Sequence, residues 1–276
     1  MMKVSREGNT DNEKRGKLLL LAAFIALSLF VSKVVQANTQ VVISRVYINA
    51  LIYFVIVFVG LLWAFNFQIK RKSLIYLLQP ALFVFSQELF VEFFFFQKFS
   101  RIYEAFILLL LIIAVFFINY FSFLSANAFN VNLYKKIPLA QVARTTSYII
   151  SIFTMYFLTF SFLLSEFNVY FLLVSILIFY IIITLIHYIN IEIEDRELFR
   201  KTVITSMISF ILFLGVFLSG STHEVISIAP VVGYYFAVSM VTQENMFLGN
   251  YKNAFLYIIF LVVIFFSVLF VNIFNI

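Results

Sequence analysis

Long apolar runs separated by short polar segments dominate the chain from residue 18 onward. Most runs are continuously apolar and reach the roughly 20 residues that a helix needs to cross a bilayer. Barrel strands would be about half as long and would alternate in polarity. The pattern therefore predicts transmembrane helices, and we place the clearest ones at 46–66, 74–96, 105–125, 145–165, 169–188, 202–219 and 254–274.

Two shorter apolar runs leave the number of spans open. Residues 18–32 are charge-free and form a full span if the helix continues to about Gln36 while Lys33 reaches toward the membrane surface. The same region resembles a signal peptide, with a small-residue cleavage motif at 35–37. A lysine between the apolar core and that motif favours a retained helix, and both interpretations place Asn38 outside.

The second short run is Val225–Val241, which is interrupted by Pro230 and Gly233. It either spans the membrane or forms a re-entrant segment, which gives nine or eight spanning helices. We therefore predict an all-α, polytopic transmembrane helix bundle of eight to nine spanning helices with a cytoplasmic N-terminus. In this prediction, residues 1–17 form a cytoplasmic disordered tail and 18–276 a single integral membrane domain.

The lysines and arginines define the expected orientation. With the N-terminus inside, 15 of the 19 basic residues fall in inner segments and four in outer segments. Lys70, Arg71 and Lys72 form the densest basic cluster between two spans. This is the positive-inside distribution of a plasma-membrane protein.

Composition adds limits to this prediction. A chain that is 64% hydrophobic and 12% charged cannot bury its apolar surface as a soluble domain. The absence of cysteine excludes disulfides and thiolate metal sites. We expect a multi-pass protein of the bacterial inner membrane without cofactor or metal. Its expected partners are the lipid bilayer, anionic lipid head groups at the inner basic loops and other membrane proteins, but not nucleic acid.

Glu88 and Glu92 are the only carboxylates inside a predicted span. Four residues apart, they share one helical face. A helix that starts at Leu74 puts Glu88 roughly 9 Å from the outer edge of a hydrocarbon core about 30 Å thick, and Glu92 near that edge. Glu88 should then face protein or a water-filled cavity, because a carboxylate in lipid is costly. The functional hypothesis is a proton- or cation-binding site.

Two alternatives accompany that hypothesis. Pro80 could kink the helix, so that the span ends early and the glutamates lie among the outer head groups, paired with Lys98 or Arg101. Conversely, His223 and Glu224 follow the seventh span on the same predicted side. If the outer loops converge, these two residues could join Glu88 and Glu92 in one site for acid–base chemistry.

Other polar residues favour packing or surface roles. His187 is expected to lie at the membrane interface at the inner end of the sixth span. Small hydroxyl residues, such as Ser147, Ser151 and Thr154 in the fifth span and Ser206 in the seventh, should let helices approach closely.

No sequence motif identifies a reaction. The chain contains no G-x-S-x-G, no H-E-x-x-H and no glycine-rich phosphate loop. The expectation is a non-enzymatic membrane component, either an assembly factor or a complex subunit. The alternative is a small-solute or lipid transporter, or a lipid-modifying enzyme, that uses an outer-leaflet carboxylate site around Glu88.

The topology can be tested with single cysteines, because the natural chain has none. Cysteines introduced at positions 38, 167, 222 and 276 should react with a membrane-impermeant maleimide added outside, and one at position 71 should not. Protection of position 276 from the reagent would indicate that the eighth segment is re-entrant. Labelling of position 71 would contradict the predicted orientation.

Overall fold

The computed structural model describes residues 2–36, 43–94, 102–132, 139–165 and 167–242. Over these ranges the protein is all-helical and has no strands. By length and composition, each of the eight helices there can cross a membrane. The predicted fold class, an all-α multi-pass bundle, is confirmed. The helices are α1 (Met2–Gln36), α2 (Ile43–Ala64), α3 (Arg71–Phe94), α4 (Ile102–Asn132), α5 (Leu139–Leu163), α6 (Val169–Asn190), α7 (Asp195–Leu218) and α8 (His223–Thr242).

The least certain predicted span corresponds to α8. This helix contains 20 residues and continues through Pro230, so it has spanning length. The predicted ninth span, 254–274, lies outside the described residues. The cytoplasmic position of the N-terminus stays a prediction.

The chain forms two compact units, Met1–Ile150 and Ser151–Ile276, called here unit 1 and unit 2. Helix α1 begins at Met2, so its first turns contain polar residues that the sequence assigns to a tail. The assignment of 1–17 to a separate tail and of 18–276 to one membrane domain stays a prediction.

The core of unit 1 is built on a stripe of apolar side chains along α1. Residues 18, 21, 22, 25, 26 and 29 are all buried, and this 3-4 spacing places them on one helical face. They pack with buried residues of α2, α3 and α4, including Leu61, Val84 and Phe123. Leu20 and Leu27 of α1 are exposed, as expected of side chains that face lipid.

Polar contacts gather three predicted inner segments at one end of unit 1. Lys17 of α1 donates to Asn66 Oδ1, 2.6 Å away, just beyond the end of α2. Ser73 at the start of α3 donates to Asn130 Oδ1 near the end of α4, also at 2.6 Å. Asn130 in turn donates to the carbonyl oxygen of Gln68. The segments that the charge pattern assigns to the inner side therefore lie at the same end of unit 1.

In unit 2, α7 packs against both α6 and α8. The α7 face that contains Thr202, Ser206 and Ser209 is buried, and each hydroxyl donates to a carbonyl oxygen one turn earlier in its own helix. These hydroxyls find their hydrogen-bond acceptors within α7 and need no partner on another helix. Because the side chains are also small, a neighbouring helix can approach this face closely. The expected packing role of this face is confirmed.

Gly233 is the position where α8 comes closest to α7. A Cβ atom at this position would lie 2.8 Å from Ser209 Cα and 3.3 Å from the carbonyl oxygen of Ile208. Both atoms belong to the backbone of α7 and cannot rotate away. The glycine therefore sets the separation between these two helices.

Gly233→Ala should destabilise unit 2 by roughly 1–3 kcal/mol, the usual cost of overpacking a close contact. Thermal unfolding in detergent micelles measures the effect. Gly16→Ala is the matched control, because a Cβ at position 16 meets no atom within 4 Å. Equal melting temperatures for Gly233→Ala and the wild type would contradict the close packing.

Candidate functional site

The glutamates of α3 are buried inside unit 1. Glu88 is 0% exposed and Glu92 is 1% exposed. Glu88 therefore faces protein, as expected from the cost of a carboxylate in lipid. Glu92 is likewise enclosed by protein, and its predicted depth near the outer boundary stays a prediction. The alternative of an early helix end is wrong, because α3 continues through Pro80 to Phe94.

Glu92 forms an ion pair with Lys33 of α1. Lys33 Nζ lies 2.6 Å from Glu92 Oε2, and the lysine side chain is only 5% exposed. The same ammonium group approaches the Glu92 carbonyl oxygen at 3.5 Å. The prediction that Lys33 extends to the membrane surface is therefore wrong. The physical reason is that α1 and α3 bring their C-terminal ends together, which gives the lysine a buried carboxylate partner.

Glu88 lies one turn before Glu92 on the same face of α3. Neither of its carboxylate oxygens has a hydrogen-bond partner among the residues that the structure describes. The titratable groups that act on it electrostatically are Glu92, Lys33 and Tyr53 of α2. Glu88 is thus a buried carboxyl group beside a charged pair, without a direct partner of its own in the described part of the chain.

Hydrogen bonds along α3 fix the helix that positions these glutamates. Gln79 exchanges two hydrogen bonds with Ser147, one through the serine hydroxyl at 2.8 Å and one through its carbonyl oxygen at 2.7 Å. Asn119 of α4 donates to Gln87 Oε1 at 2.9 Å. Together with the Ser73–Asn130 contact and the Lys33–Glu92 pair, these bonds hold α3 along its whole length.

His223 and Glu224 are in a different environment. Both are exposed at the start of α8, in unit 2. Glu88 and Glu92 belong to unit 1, so the predicted four-residue site is not a feature of either unit. Among the described residues, no group of three or more His, Asp or Glu side chains could hold a metal ion.

His187 differs from its predicted interfacial position. Its side chain is 2% exposed, and its ring lies 5.8 Å from that of Tyr234, centroid to centroid. Tyr188, its neighbour in α6, hydrogen-bonds Thr205 of α7. The end of α6 is therefore enclosed by α7 and α8, which bury the side chain of His187 that an interfacial position would expose.

The charges of the Glu88 site determine what it can bind. With both carboxylates ionised and Lys33 protonated, one positive and two negative charges leave a net charge of −1 in a buried space. An uncompensated charge in such surroundings costs several kcal/mol. One proton or one monovalent cation on Glu88 removes that cost, whereas a divalent cation would leave a net charge of +1.

Sequence reasoning identified the glutamates but missed Lys33, Tyr53 and Asn119 as parts of their surroundings. One available signal was the charge of Lys33, which directly follows the first apolar run and is opposite to that of the glutamates. Comparison of the chain with protein-family models, curated proteins and solved structures found no match.

The ion pair predicts an asymmetric response to substitution. Lys33→Met leaves two carboxylates without their cation and should destabilise unit 1 by about 3 kcal/mol or more. Glu92→Gln should cost less, because Glu88 remains close enough to compensate Lys33. The double variant Lys33→Met/Glu92→Gln should recover most of the loss that Lys33→Met causes.

Unfolding of the purified variants in detergent, arranged as a double-mutant cycle, measures these differences. Additive losses in the cycle would show that Lys33 and Glu92 are not energetically coupled and would contradict the buried pair.

Proposed function

We propose that this multi-pass membrane protein is a carrier that binds and releases one proton or one monovalent cation at Glu88. The observation that supports the proposal is the full burial of Glu88, with both carboxylate oxygens lacking a hydrogen-bond partner among the described residues. A buried ionisable residue within a transmembrane helix marks a candidate ion or proton pathway.

The chemistry favours a proton over a metal cation. A proton needs only the carboxylate oxygen, whereas hard cations take several oxygen ligands at once. The nearest titratable neighbours of Glu88 contribute an ammonium group, a second carboxylate already paired with it, and a phenol. Lys33 remains as the fixed compensating charge, so the site alternates between net charges of 0 and −1 as Glu88 gains and loses its proton.

The expected setting is the bacterial plasma membrane, with the N-terminus in the cytoplasm. The 15 to 4 distribution of basic residues over alternate segments supports the orientation. The small size and high hydrophobicity of the chain support a bacterial membrane. In this orientation Glu88 belongs to the outer half of the bilayer.

Glu88→Gln tests the proposal, because it keeps the shape of the side chain and removes its proton-binding group. The purified protein is reconstituted into liposomes that contain a pH-sensitive dye, and a pH gradient is imposed with valinomycin and potassium present. We expect wild-type proton flux to exceed that of empty liposomes, and Glu88→Gln to abolish the excess. Glu197→Gln is the matched control, since this glutamate is exposed at the start of α7.

The same preparations allow a measurement that does not depend on flux. Infrared difference spectra between acidic and alkaline pH should show carbonyl bands of protonated carboxylic acids in the wild type, and Glu88→Gln should lose the one component that Glu88 contributes. Undiminished flux in Glu88→Gln would refute the carrier. Unchanged infrared spectra would refute proton binding at Glu88.

A second candidate is the non-enzymatic membrane component, an assembly factor or complex subunit. The contacts of α3 favour this second candidate. An ion pair to α1 and hydrogen bonds to α4 and α5 hold α3 in place, as expected of a rigid structural subunit. This candidate predicts no flux above empty liposomes for the wild type. It also predicts that Glu88→Gln leaves both the protein level and the phenotype of cells unchanged.

A further inference from the structure

A cavity of about 440 Å³ lies in unit 1 between α4 and α5, with α1 contributing Arg15 to its wall. This volume is within the range of small-molecule sites. Arg15 is two residues from Lys17, so the cavity belongs to the polar end of unit 1 described above. That is the end opposite the Glu88 site, and the cavity plays no part in the proposed carrier function.

The wall of the cavity combines an apolar surface with a few polar groups. Tyr120 and Leu124 of α4 and Val142 of α5 provide the apolar part. Arg15 is exposed and lies at the wall, where its guanidinium is accessible. Asn127 of α4 contributes a buried amide oxygen that has no donor among the described residues. This combination suits an amphiphile with a negative charge and a hydrogen-bond donor next to it.

We propose that this cavity binds one anionic phospholipid whose head group bears hydroxyls, such as phosphatidylglycerol. The guanidinium of Arg15 matches the phosphate, since its planar fork of N–H donors fits phosphate oxygens. Asn127 lines the cavity, and rotation of its amide would bring Oδ1 to a head-group hydroxyl, which would then donate to this otherwise unsatisfied acceptor. An acyl chain covers the apolar wall formed by Tyr120, Leu124 and Val142.

Charge complementarity favours this occupant over a neutral lipid. Lys14 and Lys17 flank Arg15 on α1, and anionic lipids concentrate where basic residues meet the membrane surface. A choline head group would place a quaternary ammonium beside Arg15 and offers no donor to Asn127. An acyl chain alone would satisfy the apolar wall but neither polar group.

Native mass spectrometry of the full-length protein tests the proposal. The protein is released from mixed micelles that contain equal amounts of phosphatidylglycerol and phosphatidylcholine of the same chain length. Wild type should retain one phosphatidylglycerol with about tenfold preference, the factor expected of one charge-assisted contact. Arg15→Gln should reduce the preference to about one, and Arg200→Gln, the matched control at an exposed arginine of α7 in unit 2, should leave it unchanged.

A second variant tests the site without changing its charge. Val142→Trp introduces an indole at the apolar wall, so it should displace the retained lipid while Arg15 remains in place. Equal retention of the two lipids by the wild type would overturn the proposal and indicate an unselective apolar groove. Persistence of the preference in Arg15→Gln, or of the retained lipid in Val142→Trp, would also overturn it.

Discussion

The requirement that buried charge be compensated governs the arrangement of unit 1. Lys33 and Glu92 come from helices that are separated in sequence by α2, and each is almost fully buried. Neither charge would be tolerable there alone, because hydrocarbon offers no solvation. Their contact thus holds the C-terminal ends of α1 and α3 together. It also creates the electrostatic setting of Glu88, one turn away.

Helix α3 combines this pair with hydrogen bonds that begin near its first turn and continue toward its last. Ser73, Gln79 and Gln87 each bond a residue of α4 or α5. Polar contacts of this kind between transmembrane helices average well under 2 kcal/mol each, so their number matters more than any one of them. Glu88 differs from these residues because its carboxylate has no hydrogen-bond partner in the described part of the chain. The proposed carrier chemistry is therefore placed at Glu88.

The two ends of unit 1 have different chemistry. One end contains Lys17, Asn66 and Asn130 in a polar network, with the amphipathic cavity beside it. The other contains a buried ion pair and a buried carboxyl group. In unit 2, packing of α8 against α7 depends on the missing side chain of Gly233 and on hydroxyls satisfied within α7. Helices α7 and α8 thus associate through close backbone packing, whereas α1 and α3 are joined by an ion pair.

The sequence by itself determined the class of protein and the positions of eight helices, and it singled out Glu88 as a candidate site. These follow from local properties: apolar runs of spanning length and a carboxylate inside one of them. It did not reveal that Lys33 is the partner of Glu92, because the 59-residue separation conceals a contact that exists only once the C-terminal ends of α1 and α3 come together. For the same reason it did not reveal that the side chains of Glu92 and His187 are buried, since burial depends on which helices surround a residue. Apolar periodicity marks the helices, whereas the choice of neighbours depends on long-range packing, and only the tertiary structure decided it.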